Sequence, residues 1–435
     1  MSINFSKLSI NSIPKNELQL NNNNAALSNI PSISDTIMIS DNRLLKDFKD
    51  QVFGGYKLSQ ASQALDKAII ENKLEPALHW SIQLLLSGIV SPLWNKLICV
   101  ASKNINICNP KLPEFLYNKT KQWHMIVDNP KYSKDNILQL RNNSQLRLLL
   151  AEMVSIITLS KKRKLSQLPR IKKEEFLIDR FKSQLDAKDN KFIETITVDG
   201  DPSEIKIAIN ELAYNLFHSN LTKALYWLSW IMEWEKINSK KYGKYECGYR
   251  VIECVDVKYY KDVAWFIWSV ILYVRKLKFA VLNTDINRQC DALWNMYIDK
   301  FTSASRMKKQ CLIIWTMSYI TDSNTIDMSV PIIDKPNLLF QSLLGFDKII
   351  MSLKSQEIHK THISNSELLN VVVENNYMMP ENYKNLEKSQ LHSRLHTQNN
   401  TIIGKELQKG KKQIINSETN KKLNDIYNLD RMMYS

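Results

Sequence analysis

Nine glycines in 435 residues leave this chain few places to reverse direction sharply. Tight hairpin turns and phosphate-cradling loops need positive φ, which glycine adopts without steric cost. A β-sandwich, a barrel or a glycine-rich nucleotide fold of this length needs many more such positions. The expected fold class is therefore all-α, as two similar helical subdomains from a tandem duplication with disordered arms at both ends.

Hydropathy patterning sets expected boundaries. Residues 1–45 are polar, with "NNNN" at 21–24, and lack the apolar periodicity a core requires, so they read as a disordered arm. A helical subdomain is expected over 46–160, a basic linker over 161–199 and a second helical subdomain over 200–355. Residues 356–435 read as a polar, largely disordered tail. The longest apolar run, Val263–Val274, has 12 residues (274 − 263 + 1). About 20 are needed to cross a bilayer, so this run reads as a core helix.

Within the first subdomain, "EPALHWSIQLLLSG" (75–88) raises the question of a site against a packing helix. Pro76 suits a first helical turn, where its missing N–H costs nothing. Gly88 suits a helical exit in the left-handed conformation. His79 points about 100° away from Trp80 on such a helix, so the stretch reads as a packing helix of about ten residues with Trp80 in the core. The second block supports this. "LEPALHWSIQLLL" (74–86) aligns with "LTKALYWLSWIME" (221–233), which pairs Ala77, Leu78, Trp80 and Leu84 with Ala224, Leu225, Trp227 and Ile231. Leu65 and Ile69 pair with Leu212 and Leu216 in the same register. Further on, "LLLAEMVSIIT" (148–158) aligns with "CLIIWTMSYIT" (311–321), with an insert expected over 238–253. Two matches in one order point to a diverged duplication.

Residues of the first block resemble a known helical module. Ala77, Leu78, Trp80, Leu84, Leu85, Gly88, Leu93, Leu97, Ala101, Ile105, Asn109 and Pro110 follow the pattern of the C-terminal domain of the replication-associated recombination ATPases. These are relatives of the clamp loaders, whose helical collars hold the ring together. The chain departs from the pattern at Lys103-Asn104, where the family carries an acidic pair. The G-x-x-x-x-G-K-[ST] loop that holds phosphates in the family's motor is missing from the sequence. The resemblance implies an all-α assembly domain of the DNA-replication type without its ATPase.

Charge adds a partner class. The net charge of +15 and pI near 9.3 suit a polyanion. The densest basic stretch, "SKKRKLSQLPRIKK" (160–173), makes Lys161, Lys162, Arg163, Lys164, Arg170, Lys172 and Lys173 the candidate nucleic-acid contacts, against the plainer reading of a charged linker. Trp227, Trp230 and Trp234 share one helical face, which reads as a packing stripe ahead of a base-stacking platform.

No catalytic, cofactor or metal site is expected. His359/His362 and His392/His396 have ligand-like spacing but no further donors nearby, and a structural zinc needs four ligands. Cys99, Cys108, Cys247, Cys254, Cys290 and Cys311 form no C-x-x-C pair. With no apolar leader at the start, a reducing intracellular compartment is expected. Abundant Asn, Lys and Ile suggest an AT-rich genome such as that of a large DNA virus, and with it the host nucleus, a viral factory or the virion. The expected function is a non-enzymatic accessory or scaffold factor in DNA replication or repair. It would act through helical surfaces on other proteins or on itself, with basic segments on DNA. The alternative is a structural or virion-internal protein.

Overall fold

A computed structural model describes residues 3–4, 37–132, 134–279 and 284–359. The described chain is all-α apart from one two-residue strand pair, β1 (Ile3–Asn4) parallel to β2 (Arg250–Val251). Five helices open the body: α1 (Leu58–Ile70), α2 (Leu74–Leu86), α3 (Val90–Asn104), α4 (Leu112–Val127) and α5 (Ser144–Leu159). Two short helices follow, α6 (Ile178–Ser183) and α7 (Lys191–Glu194). A second set of five comes next: α8 (Ser203–Phe217), α9 (Leu221–Tyr242), α10 (Val263–Phe279), α11 (Thr284–Ile298) and α12 (Ser303–Thr321). Last comes α13 (Pro336–His359). No helix among the described residues is long and apolar enough to cross a membrane. The apolar run from Val263 is the buried α10, with Trp265, Phe266 and Trp268 inside.

The hairpins α1–α2 and α8–α9 share their turn and several buried positions. Asn72 and Ser219, 147 positions apart, both take the left-handed conformation at φ 57° and 60°. Each ends its helix with the same pair of hydrogen bonds. Lys73 N–H donates to Ala68 O and Asn72 N–H to Ile69 O; Asn220 N–H donates to Asn215 O and Ser219 N–H to Leu216 O. This is the glycine-type helix stop built without glycine, so the shortage of glycine did not remove such turns. Ala61 and Ala208, Leu65 and Leu212, Ala77 and Ala224, and Trp80 and Trp227 are buried at equivalent places. In α5 and α12 the match continues through buried hydroxyls. Ser155 and Thr158 donate to Ala151 O and Val154 O, as Ser318 and Thr321 do to Ile314 O and Met317 O. These turns and hydroxyls are local features that the two sets share. The long insert after α9 has no counterpart in the first set.

The two sets of helices belong to one compact unit, Met1–Ile358. Helices α4 and α11 lie side by side in parallel: Glu114 N–H donates to Gln289 Oε1 at 3.0 Å, and His124 Nε2 meets Asp299 Oδ2 at 3.0 Å. Tyr319 of α12 donates its hydroxyl to Pro110 O at 2.7 Å. Ser155 of α5 bonds Ser342 of α13 at 2.7 Å. The expected boundaries at 160 and 200 thus mark a joint in the chain, and the helical groups on either side share a core.

Both ends of the expected arms are revised. Ile37 and Ile39, inside the arm 1–45, are buried. The buried guanidinium of Arg147 donates to Ile37 O at 2.9 Å and to Arg141 O at 2.7 Å, and Asn142 pairs with the backbone of Ile39. Backbone carbonyls held by a buried arginine explain how a polar stretch docks without its own periodicity. At the other end α13 runs on through residues 356–359. The rest of the expected tail, with His362, His392 and His396, lies outside the described residues, as do residues 5–36.

Helix α2, which carries the 75–88 stretch, is three residues longer than expected, at 13. Gly88 stands at φ +75° just past its end, where Gly88 N–H and Ile89 N–H donate to Leu85 O and Leu84 O. A Cβ on Gly88 would come within 2.9 Å of Leu138 Cδ2 and 3.0 Å of Leu45 Cδ1. Gly88→Ala is expected to cost about 1–2 kcal/mol from the left-handed backbone alone, read as a lower urea midpoint at unchanged m-value.

The insert is held by one buried ion pair. Arg250 donates to both carboxylate oxygens of Asp201 at 2.7 Å, with Ile196 O, Gly248 O and Ser269 Oγ taking its remaining donors. Both side chains are fully buried. The pair anchors the segment after α9 to the start of α8 and to α10, and it gives residues 247–251 a packing role. Cys247 is buried and Cys254 exposed on that segment, both as free thiols.

Candidate nucleic-acid interface

The basic joint after α5 is bound down along its length. Arg163 N–H donates to Asn104 O at 2.7 Å, Leu165 N–H donates to Lys103 O at 2.7 Å, and Asn106 Nδ2 donates to Arg163 O at 2.6 Å. Leu165 is buried beneath this short ladder. Further on, Ser229 of α9 donates to Pro169 O at 2.6 Å. Tyr226 donates to the Glu175 carboxylate at 2.9 Å, and the Trp230 indole N–H donates to Glu175 O at 3.3 Å. The joint therefore runs from the end of α3 to the face of α9, fixed at both ends.

Two phenylalanines complete the attachment. Phe176 packs on Trp230 and Trp234 with ring centroids 5.0 and 5.5 Å apart. Phe181 of α6 meets Trp227 and Trp230 at 5.5 and 5.1 Å. Trp227 and Trp230 are buried, so the tryptophan stripe is an intramolecular contact and its rings are covered by the joint. Tyr226, at the place His79 occupies in the first hairpin, reaches Glu175 of the joint. Its equivalent His79 is buried.

Of the seven candidate contacts, Lys161, Arg163, Lys164, Arg170, Lys172 and Lys173 are exposed. Arg163 also stands 3.4 Å from the Asp322 carboxylate, an exposed pair of little strength. Lys162 differs. Its ammonium donates to Ile157 O, Thr158 O and Ser160 O at 3.0, 2.8 and 2.7 Å, and to Asn72 Oδ1 at 2.7 Å. It caps the open carbonyls at the end of α5, a role that favours a cation, and burial lowers its pKa to about 8. The expectation for Lys162 as a phosphate contact is therefore corrected: its donors are engaged by the helix end.

An extended chain rises at most about 3.3–3.6 Å per residue, so Lys161 to Lys173 spans at most about 43 Å. That is roughly one turn of B-form duplex, about 34–36 Å. The stretch 160–173 carries no acidic residue, and Lys103, exposed at the end of α3, adds a further cation beside Leu165.

A recess of about 20 Å³ lies between Asn109, Ser160, Lys161 and residues 330–335, enough for about one water. Among the described residues no group of three or more His, Cys, Asp or Glu is arranged to hold a metal ion. The candidate core residues Ala77, Leu78, Trp80, Leu84, Ala224, Leu225 and Trp227 are all buried.

Sequence reasoning missed the anchoring of the joint. The signal available was the cluster Phe176, Leu177, Ile178 and Phe181, apolar residues in an otherwise charged stretch. No family model, curated protein or solved structure matches this chain.

Proposed function

We propose that the protein is a non-enzymatic accessory or assembly factor that holds nucleic acid by its phosphates, of the kind used in DNA replication or repair. The observation that carries the polyanion contact is the basic joint: six exposed cations on a segment tied to α3 and α9. A tethered segment loses less conformational entropy on binding than a free linker does, which leaves more of the charge attraction as affinity. The helical collar resemblance of Ala77–Pro110 supports the replication context. The many buried helix–helix contacts leave side chains such as Met125, Met307 and Tyr242 exposed for protein partners.

Binding of the full chain to two duplexes of unrelated sequence, measured against salt, tests the polyanion contact. Contact with about five to six phosphates gives a log–log slope near −5, at about −0.9 per phosphate. Replacing Lys161, Arg163 and Lys164 with Ala is expected to flatten the slope by about 2.7 units and to weaken both duplexes equally, since phosphate contacts carry no sequence information. Lys162→Met should leave the slope in place while lowering stability. An unchanged slope in the triple variant would make the joint a structural strap. Self-association that persists at high salt without DNA binding would favour the structural-protein alternative.

A further inference from the structure

Between α3 and α12 two thiols meet that serve neither the helix ends nor the basic joint. Cys99 of α3 is half-buried and Cys311 of α12 is buried, and both are free. Their sulfurs share one carbonyl: Cys99 Sγ lies 3.4 Å and Cys311 Sγ 3.5 Å from Lys308 O. They are also within hydrogen-bonding reach of each other.

We propose that Cys99 and Cys311 are a peroxide-sensitive pair that closes into a reversible disulfide, joining α3 of the first helical set to α12 of the second. The two thiols divide the work. The hydrogen bond from Cys99, with the charge of Lys103 behind it, lowers the Cys311 thiol despite its burial, while Cys99 is raised and keeps its proton. A thiolate is the reacting form. The Cys311 thiolate attacks one oxygen of hydrogen peroxide, the O–O bond breaks, and the departing hydroxide leaves as water once protonated. Cys311 is then a sulfenic acid. Cys99 attacks that sulfur, its proton goes to the leaving hydroxide, and a second water departs as the S–S bond forms. Two thiols and one peroxide become one disulfide and two waters. By contrast, burial, with the Asp291 charge and against that of Arg275, pushes Cys290 up to about 12, so that thiol stays inert.

The disulfide would close a loop of roughly 200 residues, and cross-links over long loops restrict the unfolded chain most. The test treats the full chain with equimolar hydrogen peroxide, then denatures, alkylates and maps the peptides. The expected result is a linked Cys99–Cys311 peptide pair, two hydrogens lighter, that dithiothreitol separates. The thermal midpoint of the oxidised protein should rise, and that of Cys99→Ser should not. Recovery of both thiols alkylated, of Cys311 as a sulfinic acid beside alkylated Cys99, or of either one linked to Cys108 or Cys254 would overturn the proposal. Should Cys311→Ser fail to fold, the wild-type map and Cys99→Ser decide it.

Discussion

Trp80→Ala and Trp227→Ala are each expected to destabilise the protein by about 3–5 kcal/mol, the range for removing a large aromatic ring from a core. Both side chains have no exposed surface. Trp80 is packed edge-on by Tyr56 at 5.2 Å and Trp227 by Phe181 at 5.5 Å. Each stands at the same point of its hairpin, where α1–α2 and α8–α9 close on themselves. Denaturant midpoints measure the loss; values within error of wild type would mean the rings are not anchors. The two substitutions should also differ in one respect. Phe181 of the joint rests on Trp227, whereas the ring on Trp80 is Tyr56 from the segment before α1, so Trp227→Ala should expose new tryptic sites between Arg170 and Lys182. Trp80→Ala should leave that segment protected.

Acid should destabilise the protein through His79. Burial lowers its pKa from 6.5 to about 4, so the folded protein holds the ring neutral where the unfolded chain protonates it. With the folded pKa below the unfolded one, the unfolded state binds more protons between pH 6.5 and 4, and stability falls as pH falls through that window. Above pH 6.5 the contribution is fully present. At about 1.4 kcal/mol per unit, the loss attributable to this histidine is about 3 kcal/mol at pH 4. Comparing wild type with His79→Leu by urea titration from pH 7 to 4.5 isolates it. The difference between the two proteins should change with pH in that window, and parallel curves would mean that the ring is protonated in the fold or solvated.

The parts legible in the sequence were those set by local periodicity. Apolar spacing from Leu65 through Leu86, a proline at one end and Gly88 at the other were enough to locate α1 and α2, and the repeated Ala-Leu-x-Trp located α8 and α9. Periodicity identifies a buried face without saying what buries it. The shared core of the two helical sets is partly polar at its seam, through Glu114, Gln289 and Tyr319, and polar residues leave no apolar pattern to find. Glycine counting overstated the cost of turning: Asn72 and Ser219 make the left-handed stops that glycine was expected to supply. Counting charge placed the candidate interface, but it treats every lysine alike. Only the path of the chain after Leu159 reveals that Lys162 folds back while Lys161 and Arg163 face outward.

Lys278, at the end of α10, donates to Leu216 O and Ile320 O at 3.3 and 3.0 Å and also meets the Ser219 hydroxyl. Ser219 and Ile320 are the counterparts of Asn72 and Ile157, the groups Lys162 reaches. The two lysines thus plug the same electronegative socket while coming from unrelated stretches of chain, one after a fifth helix and the other at the end of a third. A residue's column in an alignment and its address in space have come apart. What the socket demands is a positive charge delivered to a point, and any passing segment can make the delivery. Comparing the two halves position by position would score both lysines as mismatches, although each does the other's job.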